Sequence, residues 1–387
     1  MRVDPVYLDH AATTPLRPEA RAAMLPWLTD RFGNPSGSHA VARRARLAVD
    51  DARDTVAATL GVDPGEVVFT AGATEADNTA VAGAGPTGGR VVTSAAEHHA
   101  VLEPVQRLGD RGVVVGVTAT GHVDLDALSG VLASADGDVR LVSVMAVNNE
   151  VGTVTDLAAV AAVVRAEAPD AVLHTDAVQA PTWLDLRPIC ATADLISLSA
   201  HKVGGPQGNG VLVVRAGTPL RALLTGGGQE RELRSGTHAV AGIVATAAAF
   251  AAADAGRAAE VARVSALRYR LVAGLTAFDR VSGTVPTAAT VPGIVHVCVE
   301  GAESEALLYL LDEGGVCAAA GSACAAGALE PSHVLAAMGV PEARAAGALR
   351  FSLGHTTSAA DVDRAVDVVA DTVARLGGTR VPHGVPA

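Results

Sequence analysis

From about residue 60 to residue 215 the chain alternates short apolar runs with longer alanine-rich amphipathic stretches, and nothing else in its 387 residues constrains the fold as strongly. Strand followed by helical period, repeated, is the sequence form of the βα unit and of a mainly parallel sheet. The pattern predicts seven strands, at 67–69, 90–93, 113–117, 141–144, 172–175, 195–198 and 210–214. Most of them end in a cluster of polar residues. Open α/β sheets bind ligands at the carboxyl ends of their strands, so those clusters are where chemistry is expected.

Beyond the alternating region a long alanine-rich helical stretch runs from His238 to about Ala273. A strand (293–299), a helix (303–313), a second strand (348–352) and a terminal helix (358–375) follow. The expected organisation is a large domain, 15–257, with a smaller α+β domain made from 1–14 and 258–387. Hydrophobic residues make up 49% of the chain and aromatic ones only 3%, so both cores must be built from Ala, Val and Leu. Segments 279–292 and 314–331 read as loops of the smaller domain.

The formal net charge of -12, with no Lys/Arg-rich run, excludes a primary role on nucleic acid or anionic membranes. No apolar stretch at the N-terminus reads as a signal peptide, and no uninterrupted apolar run reaches the length of a membrane span; a cytoplasmic location is expected. Four cysteines, Cys190, Cys298, Cys317 and Cys324, are too few for a disulfide framework, and none forms a C-x-x-C pair. No metal site is expected. The open question is whether one thiol is chemically active.

The most informative segment is an apolar strand that ends in Ser199-Ala200-His201-Lys202 and runs into Val203-Gly204-Gly205-Pro206. A lysine at a strand end followed by glycines can hold an aldehyde cofactor, with Ser199 and His201 toward a phosphate. Taken alone it reads equally well as a solvated loop lysine. Upstream, the strand at 172–175 ends in Asp176, a carboxylate suited to a protonated pyridine nitrogen, with Gln179 one turn on. An ordinary helix cap is its plain alternative.

Gly72-Ala73-Thr74 follows the first strand of the series and opens a helix, which is how backbone N–H groups and a hydroxyl cradle phosphate. Thr74 and Asp77 also satisfy a capping box, a competing reading. His98, just past the strand at 90–93, can stack on a ring and move protons, but with His99 at a helix start it reads equally as a surface feature or an adventitious metal site. His99 reads as structural or exposed.

Taken together and in order, Tyr7-Leu8-Asp9-His10-Ala11-Ala12-Thr13-Thr14-Pro15, Gly33-Asn34-Pro35-Ser36, Glu97-His98, Asn148-Asn149-Glu150-Val151-Gly152, His174-Thr175-Asp176-Ala177-Val178-Gln179, Ser199-Ala200-His201-Lys202, Gly226-Gly227-Gly228-Gln229-Glu230, Arg234-Ser235-Gly236-Thr237 and Gly321-Ser322-Ala323-Cys324 resemble the cysteine desulfurases of the class-V aminotransferase group. The likeness runs from about Tyr7 to Asp367. It implies a fold-type I pyridoxal 5'-phosphate enzyme working as a homodimer. By that resemblance Lys202 is the Schiff-base lysine and Asp176 the pyridinium partner. Gln179 and Asn149 bond the ring hydroxyl, and His98 stacks on the ring. Ala73, Thr74, Ser199 and His201 bind phosphate, and Thr237 reaches the phosphate of the neighbouring subunit. Arg350 matches the substrate-carboxylate arginine, with Asn34 and Asn149 as helpers.

Cys324 decides the expected reaction. It lies in a long stretch of small residues, which suits a thiol that must visit both the substrate sulfur and an outside acceptor. The expected activity is removal of sulfur from L-cysteine, giving L-alanine and a Cys324 persulfide, with Lys202 moving the Cα proton and His98 serving sulfur. Cys190, Cys298 and Cys317 are expected to be structural. Gly-Ser-Ala-Cys resembles the housekeeping and nitrogenase-associated branch, although Ala319 and Ala320 stand where that branch often has hydroxylated residues. The alternatives are a lyase or aminotransferase acting on selenocysteine or cysteine sulfinate, or a silent scaffold for sulfur-relay partners. The acceptors the family implies are an iron–sulfur scaffold, a tRNA- or DNA-thiolation enzyme, or a sulfur carrier.

Overall fold

In the computed structural model, residues 5–84, 88–135, 137–321 and 332–376 are described. Twelve strands occur among them: β1 (Val6–Tyr7), β2 (Val67–Thr70), β3 (Arg90–Ser94), β4 (Gly112–Val115), β5 (Val139–Ser143), β6 (Val172–Asp176), β7 (Leu195–Ser199), β8 (Gly210–Val214), β9 (Val281–Gly283), β10 (Ile294–Val299), β11 (Val316–Cys317) and β12 (Ala348–Ser352). Strands β2 to β8 form one sheet in the order β2-β8-β7-β6-β5-β3-β4. Neighbours from β7 through β4 run parallel, while β8 lies antiparallel to both β7 and β2. The fold is thus α/β with a large, mostly parallel seven-stranded sheet. Every residue of β6, β7 and β8 is buried, as expected for strands covered on both faces.

Two glycines set the first turn of the site. Gly72, just before the helix Ala73–Ala84, has φ +133°, a region glycine alone enters without strain. Across from it, a Cβ on Gly210 would stand 2.6 Å from the Gly72 carbonyl carbon and 2.8 Å from the Leu198 oxygen. Glycine at the start of β8 therefore lets the turn lie flat against the strand ends.

The helix Val240–Leu275 joins two hydrophobic cores. Its first half, including Ile243, Phe250 and Ala253, packs with the helices Pro18–Leu28 and Ala40–Leu60 and the large sheet. Its second half, including Val264, Leu271 and Leu275, belongs to a core shared with β10, β12 and the helix Ala359–Arg375. By length and composition it is the one described helix that could cross a membrane, although Asp254 and Arg257 interrupt its apolar run. Half of its most apolar stretch is buried in protein, the position of a core helix.

Strand β1 pairs in parallel with β11, and the antiparallel sheet β12-β10-β9 lies nearby in the same core. This anchors residues 6 and 7 on the smaller core. The chain then passes through Asp9–Thr14 toward the carboxyl ends of β6 and β7, where the site lies.

Candidate active site

A cavity of about 550 Å³ opens at the carboxyl ends of the large sheet. Its wall includes Ala73, Thr74, His98, Asn149, Asp176, Gln179, Ser199, His201, Lys202 and Arg350. Ten of the residues singled out in the sequence thus converge on one space, from positions spread between residues 73 and 350. Asn34 and Thr237 do not join them. Both are exposed, and the Asn34 Oδ1 accepts from the Ser36 N–H at 3.0 Å. Cys324 lies outside the described residues.

Lys202 follows β7 in a short helical turn, Ala200–Lys202. Its Nζ donates to the carbonyls of Ala11 at 2.5 Å and Ala12 at 2.9 Å. Gln179 Nε2 donates to the same Ala11 oxygen at 2.9 Å. Two side chains from the sheet thus converge on the segment that arrives from β1. Nothing in the sequence signals these acceptors, because a backbone carbonyl is available at every residue.

Asp176 ends β6, buried, with its Oδ1 accepting from the Val178 N–H at 2.9 Å. Burial raises its carboxyl to about 6, against the pull of that N–H and of the Lys202 charge. Beside it lies a residue whose role was missed. Asp77 lines the cavity, and its carboxyl oxygens have no hydrogen-bond partner, so the capping box with Thr74 does not form. Its Oδ1 stands 3.6 Å from His174 Nε2, and burial, followed by the Asp176 charge, pushes its pKa far up. His174, held between Ser143 at 2.8 Å and Ser197 at 3.0 Å, is kept neutral by burial, its pKa down at about 3. A Thr-x-x-Asp spacing pointed to a cap; burial on the sheet side of the helix decided otherwise.

His98 caps the helix His99–Gln106, its Nδ1 accepting from the Ala100 N–H at 3.1 Å. That bond puts the proton of the neutral ring on Nε2. Burial, then the Lys202 charge, holds its pKa at about 4, so the ring is neutral at physiological pH. His201, bonded to Thr13 Oγ1 at 3.1 Å, is likewise lowered to about 4 by burial and by Lys202.

Arg350, central in β12, is 3% exposed. Its Nη2 donates to Asp9 at 2.8 Å and its Nη1 to the Asn149 carbonyl at 2.9 Å, while Nε has no partner. A buried guanidinium with spare donor capacity, facing a cavity, is equipped to take a carboxylate. Asp9 holds it from behind.

The chain matches the family described as Aminotransferase class-V over residues 6–365. The chain belongs to the class-V aminotransferase family. An "IscS-like cysteine desulfurase" of Mycobacterium tuberculosis is 44% identical over 95% of this chain and 96% of its own length. A "Cysteine desulfurase IscS" of Methylococcus capsulatus is 41% identical over 96% and 93%. Among solved structures, a "NIFS-LIKE PROTEIN" superposes with TM-score 0.89 at 33% identity, covering 96% of this chain and all of that one. "SspA in complex with cysteine" has TM-score 0.77 at 32% identity, over 90% and 98%.

Class-V aminotransferases are pyridoxal-phosphate enzymes, and the donor set here fits that group. The N-terminus of helix Ala73–Ala84, Thr74, Ser199 and His201 would supply donors to its phosphate. Asp176 would supply the carboxylate for the ring nitrogen, and Lys202 the amine.

The raised Asp176 carboxyl gives a pH prediction. Only the ionised form pairs with a protonated ring nitrogen, and that form is lost as pH falls through about 6. In cofactor-stripped protein, the affinity for pyridoxal phosphate is expected to be flat above pH 6. Below it, affinity falls by up to about tenfold per pH unit, the limit for one coupled proton. A fluorescence titration across pH checks this; Asp176→Asn is expected to abolish the break, and a break that persists in the variant assigns it to another group.

Proposed function

We propose that this chain is a cysteine desulfurase that moves sulfur from L-cysteine to Cys324, leaving L-alanine, and then passes it to an acceptor protein. One observation carries the reading. The cavity brings Lys202, Asp176, His98 and Arg350 together with Gly321, the residue three positions before Cys324. Cys324 thus follows a wall residue of this cavity by only three positions in the sequence, and none of the described cysteines lines the cavity. Cys190 and Cys298 are buried, and burial pushes the Cys190 thiol up to about 12. Cys317 is bound up in β11.

Bound pyridoxal phosphate supplies an electron sink beside the substrate Cα. Arg350, held by Asp9, takes the substrate carboxylate and so fixes which bond at Cα faces Lys202. The Lys202 amine removes the Cα proton. Cys324, as thiolate, attacks the substrate Sγ; an S–S bond forms, the Cβ–Sγ bond breaks, and its electron pair stays with carbon. Two protons then complete the product as L-alanine, one returning to Cα and one arriving at Cβ. Carbon is reduced and the two sulfurs are oxidised by the same amount, so no outside oxidant is needed. Neutral His98, with its proton on Nε2, is the group for proton transfer near sulfur.

The persulfide must leave for a partner, and an iron–sulfur scaffold, a thiolation enzyme or a sulfur carrier all accept it by the same exchange. Exposed Thr237 fits a role in a second copy, and the unit is proposed to be a homodimer located in the cytoplasm. The test compares wild type with Cys324→Ala for sulfide and alanine release from L-cysteine under reductant. The variant is expected to keep its bound-cofactor absorbance and its spectral response to cysteine while product formation drops to background. Wild-type rates in Cys324→Ala would overturn the persulfide reading.

A further inference from the structure

We infer that Glu150 is a positioning residue for sulfur transfer, its carboxylate holding together the two chain ends between which Cys324 lies. The inference rests on the reading of Cys324 given above. It is carried by four described residues, Glu150, Gly321, Ser332 and Arg350.

Gly321 and Ser332 stand at opposite ends of the sequence stretch that contains Cys324. Gly321 has φ +88°, and a Cβ built there would lie 3.0 Å from Glu150 Oε2 and 3.6 Å from His296 Nε2. Gly321 therefore lies beside the carboxylate, in a dihedral that side chains rarely adopt, and an added Cβ would crowd Oε2. Ser332 Oγ donates to the same Oε2 at 2.5 Å. It also accepts from the Leu335 N–H at 3.1 Å, capping the helix His333–Ala337. Departure and return thus register on one oxygen atom.

Glu150 is itself held in place. It is 2% exposed, in a turn where Asn148 Oδ1 accepts from the N–H groups of Glu150 and Val151, each at 2.9 Å. Asn148 Nδ2 is tied in turn to the Ala96 carbonyl at 2.9 Å. The preceding residue, Asn149, lines the cavity and its carbonyl accepts from Arg350. Arg350 closes the circuit, since its backbone pairs with Ala319 in both directions, at 2.7 and 3.1 Å. The chain entering the Cys324 stretch, the chain leaving it and the guanidinium that takes the substrate carboxylate are consequently fixed to one another through Glu150 and its neighbour. Burying a carboxylate is costly unless it is bonded, so a glutamate used only to fill this space would be a poor choice. The register matters because a displacement of about 1 Å between reacting groups costs roughly a hundredfold in rate.

The test uses the holoenzyme of wild type, Glu150→Ala, Glu150→Gln, Ser332→Ala and Glu150→Ala/Ser332→Ala. Cofactor absorbance titrated with L-cysteine reads binding; intact-mass spectrometry in a single turnover reads persulfide formation. Both alanine variants are expected to slow persulfide formation about tenfold or more, with the cysteine midpoint within about twofold of wild type. The double variant is expected to be no slower than the worse single one, because both remove one contact. Glu150→Gln keeps an acceptor oxygen and is expected to fall between. Unchanged persulfide rates would overturn the inference, and so would a loss of cofactor or of cysteine binding that matches the loss of rate. Ser332→Ala, at a helix cap, keeps the test decisive if Glu150→Ala fails to fold. A Cys324→Ala control that still forms product would sink the underlying reading of Cys324, whatever the Glu150 variants do.

Discussion

Lys202→Ala is expected to abolish desulfurization, lowering turnover by roughly 10²–10⁴-fold from the loss of proton transfer alone. The amine sits at the end of β7, fixed by the carbonyls of Ala11 and Ala12 at 2.5 and 2.9 Å, so its position is set by a backbone that the substitution leaves in place. Lys202→Arg is expected to give no rescue. A guanidinium does not release its proton in a protein and cannot act as the base. A second readout separates loss of chemistry from loss of structure. The Lys202 charge pulls the Asp176 carboxyl down and depresses His98 and His201. Its removal is expected to raise all three, moving the low-pH break in cofactor affinity upward and shifting the His98 ring titration toward its ordinary range. Turnover within tenfold of wild type in Lys202→Ala would remove Lys202 from the mechanism. A dead variant whose His98 titration by NMR has not moved would place the lysine farther from the ring than the site described here requires.

The large sheet was legible because its strands are short apolar runs closed by polar clusters. The seven ranges read from the sequence differ from β2–β8 by a few residues at their ends. The antiparallel course of β8 was not legible, since a buried strand reads the same in either direction. Strands of two or three residues, β1, β9 and β11, carry too little pattern to be seen. The membership of the site was legible in the same way, because chemistry-bearing residues sit at strand ends. Its inner support was not. Asp9, which holds Arg350, lay inside a recognised motif without an assigned role, and Asp77 was hidden behind a capping pattern that helix sequences often satisfy. Glu150 behaves likewise. Its partners are separated from it by more than 170 residues of sequence, and no local spacing encodes them.

The largest stability effect is expected at Glu230, a residue that does not line the cavity. Glu230, Arg231 and Glu232 take left-handed backbone conformations in succession, with φ of 49°, 57° and 68°. Each such non-glycine residue costs about 1–2 kcal/mol, so the turn exists only because something outside it compensates. That compensation is the Glu230 carboxylate. It accepts from Arg53 at 2.7 and 2.8 Å, from the Phe69 N–H at 2.8 Å, and lies 2.7 Å from His238 Nε2. One buried group thereby fastens the turn to helix Ala40–Leu60 and to β2. Burial alone would raise its pKa, but the bonds from His238 and Arg53, the Arg53 charge and the Phe69 N–H bring it down to about 2. With a folded value below the unfolded one, its contribution is fully present above about pH 4.5 and is lost as pH falls toward 2. Glu230→Ala is expected to cost about 3–5 kcal/mol, because it strands Arg53 in a largely buried site and leaves the strained turn without its anchor. The double variant Arg53→Leu/Glu230→Ala is expected to recover the part due to the stranded charge but not the part due to the turn, so it should remain less stable than wild type while costing less than the two single changes summed. Denaturant unfolding at neutral pH measures all four states of the cycle. Strict additivity would mean that the carboxylate and the guanidinium act separately, and the left-handed turn would then need another source of support.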